Sequence, residues 1–60
     1  MIDETNLILL NVLTKLEYEV IDEILKNPNL SDDEIKDLLL IAKNLSDEIS
    51  NRITIIINKS

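Results

Sequence analysis

The chain has sixty residues, 45% of them apolar, with six basic and twelve acidic side chains for a net charge of −6. A chain of this length makes one domain at most and buries only about 60% of the surface it exposes when unfolded, so it needs disulfides, metal or association to hold a core. Cysteine and histidine are absent, which excludes disulfides and zinc and leaves association.

The first helix is predicted from Asp3 or Glu4 to Lys26. Asp3 can serve as N-cap, with Ile2 and Leu7 in staple positions around it. Lys26 places a cation in the last turn, where it suits the helix dipole. At 100° per residue, Ile2, Leu9, Leu13, Leu16, Val20 and Ile24 form one stripe. A second stripe holds Leu7, Leu10, Thr14, Tyr18, Ile21 and Leu25, and Asn6 and Glu17 fall between the two. The polar face is narrow and contains Asn11, Lys15, Glu19, Asp22 and Lys26. Two apolar stripes on one helix imply two packing partners.

Asn27-Pro28 ends this helix, because proline lacks the amide donor and pushes its neighbour out of the α region. Leu30-Ser31-Asp32-Asp33-Glu34-Ile35 starts the next. Ser31 can cap the Glu34 amide while the Glu34 carboxylate reaches back, and Leu30 can staple to Ile35. The second helix is expected from Asp32 to about Ile57. Ile35, Leu38, Ala42, Leu45, Ile49, Arg52 and Ile56 follow a heptad seam, with the small Ala42 and the charged Arg52 as exceptions. Leu39, Ile53 and Ile57 widen the seam on one side, Ile41 and Ile55 on the other, and Leu40 points outwards. The run Ile53-Thr54-Ile55-Ile56-Ile57 favours a strand locally, but the seam continues through it in phase and predicts helix.

The five-residue connection 27–31 requires antiparallel packing. The expected fold is therefore all-α, a single helical-hairpin domain about 35–40 Å long at the usual helical rise. Apolar surface left over predicts a two-fold homodimer closing into a four-helix bundle. Its interface residues are expected to be Leu9, Leu13, Leu16, Val20 and Ile24 of the first helix with Leu38, Ala42, Leu45, Ile49 and Ile56 of the second. Leu7, Tyr18, Leu25, Leu40 and Arg52 are the candidates for binding another protein. Tyr18, the only aromatic residue, reads either as packing with Leu7 and Leu25 against a neighbouring subunit or as a binding anchor. Arg52 reads either as a stem over the core paired with Glu48, or as a guanidinium fork for a partner carboxylate.

Nothing points to chemistry. Without histidine or cysteine the usual bases and nucleophiles are missing. Glu19, Asp22 and Glu23 lie within about one turn, yet Asp22 and Lys26 have the spacing of an ordinary i,i+4 pair. Asp32, Asp33, Glu34 and Asp37 lack the glycine and ligand spacing of a calcium loop and suit a helix start instead. We expect no enzymatic activity, no cofactor and no metal.

The acidic hairpin resembles the Rop-type plasmid copy-control proteins in architecture, helical hairpins that dimerise and bind RNA hairpins. That likeness implies an RNA-binding alternative. Here, however, Lys15 and Lys26 lie beside Glu19 and Asp22, and one arginine with no Phe or Trp leaves few phosphate clamps or stacking platforms. Leu45-Ser46-Asp47-Glu48-Ile49-Ser50 is similar to the Ser-Gln-Glu-Leu-Asp signature of the small helical-hairpin aspartyl-phosphate phosphatases of sporulating bacteria. That family's closing aspartate is Ser50 here and the segment lies farther from the turn, so the activity does not carry over.

The leading expectation is a non-enzymatic, homo-oligomeric interaction module that binds and inhibits or regulates another protein. Gly, Ala, Pro and Arg together number three, the mark of AT-rich coding, and with the small size this fits a phage- or plasmid-encoded inhibitor of a host system. The alternatives are a Rop-like or DNA-mimic regulator and a purely structural assembly subunit. The acidity argues against nucleic acid or anionic lipid as a general partner. The acidic start lacks the positive charge of a secretory signal, and no apolar run approaches the roughly 18 residues of a membrane span. A soluble, cytoplasmic protein is expected.

Overall fold

A computed structural model describes residues 2–59. It consists of α1 (Glu4–Lys26) and α2 (Asp32–Lys59), packed against each other as a hairpin measuring 46 × 15 × 11 Å. The length exceeds the expected one because α2 continues to Lys59 and the turn adds to one end. No helix among the described residues is long and apolar enough to cross a membrane.

Both helix starts follow their sequence signals. Asp3 adopts an extended conformation and its Oδ1 accepts from the Asn6 amide at 3.3 Å, satisfying one of the donors a helix start leaves open. At α2 the capping box is reciprocal. The Glu34 amide donates to Ser31 Oγ at 3.2 Å and the Ser31 amide donates to Glu34 Oε1 at 3.0 Å. The Ser31 amide, helped by the Ser31 hydroxyl, holds the Glu34 carboxyl below its ordinary value, and at Asp3 the Asn6 amide, opposed by desolvation and aided by Lys59, does the same. Both contributions are therefore present above the unfolded carboxylate range and disappear as pH falls through the lowered values. Ser31→Ala should lower stability by about 1 kcal/mol, a fall in Tm of about 4–8 °C for a chain of this size, measurable by thermal circular dichroism.

At its other end α1 stops where Asn27 turns extended ahead of Pro28, its amide donating to the Glu23 carbonyl at 3.0 Å. Asn27 Oδ1 then accepts from the Asn29 amide at 3.1 Å, and the tight turn returns the chain antiparallel. Lys26 Nζ lies 2.8 Å from Asp22, the i,i+4 pair expected of the polar face, and this carboxylate raises the lysine's pKa. Residues 53–57 are helical. Ile56 is buried in the seam, so tertiary packing overrides the β-branched preference for strand.

The seam of α2 is the expected one: Ile35, Leu38, Leu45, Ile49 and Arg52 are half-buried, and Ala42 and Ile56 are buried. The seam of α1 differs from the sequence reading. Its inward line is Asn6, Leu10, Leu13, Glu17, Val20 and Ile24, the line running between the two apolar stripes. Leu9 and Leu16, expected in the interface stripe, are exposed, as are Leu7, Tyr18, Ile21 and Leu25 of the other. Each stripe contributes only the members nearest the centre, and the remainder flanks the seam on either side. The inward line keeps strict three- and four-residue steps but includes two polar residues.

Candidate interaction surface

The polar members of the seam meet at the open end of the hairpin. Arg52 Nη1 donates to Asn6 Oδ1 at 3.1 Å across the two helices, and its Nε donates to Glu48 Oε1 at 2.9 Å. Asn6 Nδ2 donates to Asp3 Oδ2 at 2.8 Å, and Lys59 Nζ stands 3.6 Å from that same oxygen. Asn6 is the one buried polar side chain among the described residues, 7% exposed, and both ends of its amide are satisfied. Arg52 is thus engaged inside the hairpin by Asn6 and Glu48. The Asn6–Arg52 and Asp3–Lys59 contacts set the register, which brings Glu17 level with Ala42, the smallest residue of the α2 seam.

The hairpin leaves much of its apolar surface open. Among the described residues fourteen large apolar side chains are exposed, whereas the buried apolar core is Ala42 and Ile56. Of the residues expected in an oligomer interface, Leu13, Val20, Ile24, Leu38, Ala42, Leu45, Ile49 and Ile56 lie between the two helices of one hairpin, while Leu9 and Leu16 face outwards. Of those expected to bind another protein, Leu7, Leu40, Tyr18 and Leu25 are exposed, the last two at 70% and 80%. Tyr18 therefore projects from the hairpin, where either a second subunit or another protein could cover it. Ile8, Val12, Ile41 and Ile57 are also exposed. Sequence reasoning left Ile8 and Val12 unassigned, although Val12 lies three residues after Leu9 and four before Leu16.

These side chains fall on two broad faces. In an antiparallel pair the two chains wind in opposite senses when viewed from one end, so corresponding flanks of the seam lie on the same side. Residues 7, 14 and 21 of α1 share one side with 39, 46 and 53 of α2. Residues 2, 9, 16 and 23 share the other with 34, 41, 48 and 55. The first face carries Leu7, Ile21, Leu39 and Ile53, bordered by Tyr18, Leu25 and Ile57. Its charges balance, Glu4 and Asp32 against Lys36 and Lys43. An open apolar depression of about 400 Å³ lies at its edge, lined by Lys36, Leu39, Leu40 and Lys43. The second face carries Ile2, Leu9, Leu16, Ile41 and Ile55 towards the open end and centre. Towards the turn it becomes acidic, with Glu19, Glu23, Glu34 and Asp37, and a depression of about 320 Å³ opens there between Glu23, Leu30, Glu34, Asp37 and Leu38. No grouping of carboxylates among the described residues has the geometry to hold a metal ion. No protein-family model matches the chain, and neither a curated protein nor a solved structure matches it.

Proposed function

We propose that this chain is a non-enzymatic interaction module that self-associates and uses its remaining surface to bind and regulate another protein. One observation carries the reading: the large apolar side chains on both broad faces outnumber those the hairpin buries. A monomeric soluble domain seldom leaves contiguous apolar surface beyond a few hundred Å² unless a partner covers it. The accessible surface is 4673 Å², against roughly 4,000 Å² for a compact monomer of this mass from the usual size scaling.

Regulation of another protein, rather than assembly alone, is supported by the unlike chemistry of the two faces. An isologous dimer uses one patch twice, and a second patch of different charge remains on each subunit. The test is mass in solution by size-exclusion chromatography with light scattering over a range of concentrations. A dimer that persists on dilution is the expected result. A monomer at every concentration would overturn self-association, and a closed assembly that consumes both faces would favour the purely structural alternative.

A further inference from the structure

The two faces differ in whether they can meet a copy of themselves, and this selects the one a second copy covers. An isologous two-fold contact requires the patch to be complementary to itself. Along the balanced face, the flanking residues form three levels: Leu7 with Ile53 at the open end, Thr14 with Ser46 at the centre, and Ile21 with Leu39 towards the turn. The antiparallel register set by Asn6–Arg52 and Asp3–Lys59 aligns them. The order is apolar, small polar, apolar, and it reads alike from either end. A second hairpin laid on this face therefore meets apolar with apolar and small with small, whether the turns lie together or at opposite ends.

Each of the four apolar residues is between 38% and 47% exposed, half-covered by the seam and open on one side. On the α1 side the central level is also suited to burial. Thr14 Oγ1 already donates to the Asn11 carbonyl at 2.9 Å, so covering it leaves no unpaired donor, which would otherwise cost stability. Small side chains there let two hairpins approach closely while the apolar levels fill the space on either side. Charge agrees, since Glu4 and Asp32 offset Lys36 and Lys43 across this face.

The second face fails the same test. Its turn-proximal half carries Glu19, Glu23, Glu34 and Asp37, with Lys26, already paired to Asp22, as the cation beside them. A copy with turns together would set those carboxylates against themselves, and like charges brought together on desolvation are repelled. A copy with turns apart would set them against Ile2, Leu9 and Ile55, removing their water without a counter-charge.

We infer that a second copy of this chain docks on the face formed by Leu7, Ile21, Leu39 and Ile53, with Thr14 and Ser46 at the two-fold centre. The inference rests on the self-association proposed above and assigns its surface, leaving the Leu9–Leu16–Ile41 face for the regulated protein. Because the chain has no cysteine, single-cysteine variants report the contact without disturbing the apolar levels. With the turns at opposite ends, Thr14→Cys chains form a disulfide-linked dimer under mild oxidation. With the turns together, a mixture of Thr14→Cys and Ser46→Cys chains links across instead. Leu16→Cys, on the second face, should remain unlinked. In parallel, Ile21→Glu should halve the mass seen by light scattering at micromolar concentration, whereas Leu16→Glu should leave it unchanged. Linkage through Leu16→Cys alone, or a dimer that survives Ile21→Glu but not Leu16→Glu, would overturn the face assignment and leave self-association standing. A wild-type chain that is monomeric throughout would overturn both.

Discussion

Leu45→Asp will abolish folding and association together. Leu45 sits at the centre of the α2 seam, half-buried against α1, so the new carboxylate would face the inward line of Leu13, Glu17 and Val20, which offers it no counter-charge. Burying an uncompensated charge costs several kcal/mol. A core of this size supplies about 3–5 kcal/mol at best, and that margin is consumed. The expected result is loss of the helical far-UV circular dichroism signal and a monomeric, expanded chain by light scattering. The same substitution at Leu40, on the outer surface, should leave the helical signal intact and serves as the control. A folded, dimeric Leu45→Asp protein would refute the packing of the two helices.

Leu45 was legible beforehand because α2 states its seam clearly. Apolar residues recur there at heptad spacing and its outer face is polar, apart from Leu40. The helix ends were equally legible, since Asp3, Pro28 and the Ser31–Glu34 box act through local backbone chemistry that needs no knowledge of the fold. The inward line of α1 was not. Apolar residues cover so much of that helix that two flanking stripes score above the true one, which contains Asn6 and Glu17. Hydrophobicity counts penalise such a line although its spacing, 6, 10, 13, 17, 20, 24, is more regular than either stripe. The missing signal was in the other helix. Arg52, an unexpected member of an otherwise apolar seam, requires an acceptor across the interface, and Asn6 is the polar residue that the antiparallel register brings opposite it. The β-branched run 53–57 could be resolved only by phase, because local propensity and the seam pointed in opposite directions there.

The Asn6–Arg52 pair gives the second large effect, and the effect is non-additive. Replacing Arg52 by methionine keeps most of the stem that covers the seam but removes both the donor to Asn6 Oδ1 and the partner of Glu48. A buried amide oxygen left without a donor costs roughly 1–3 kcal/mol, equivalent to a Tm lower by about 4–24 °C at this chain length. Asn6→Leu should cost less. It leaves Arg52 paired with Glu48 and partly hydrated, its side chain being 33% exposed, and it adds apolar contact in exchange for the amide. The double variant, Asn6→Leu with Arg52→Met, removes both partners at once and should recover most of the stability lost by Arg52→Met alone. A double-mutant cycle from urea unfolding measures the coupling. If the double variant is as unstable as the sum of the single changes, the two side chains act independently and the hydrogen bond contributes little. The recovered stability should come with looser alignment. Apolar side chains slide past one another more easily than a guanidinium and an amide, and polar pairs within apolar seams are known to fix register. Amide hydrogen exchange at the open end of the hairpin should therefore be faster in the double variant than in the wild type, even where global stability is matched.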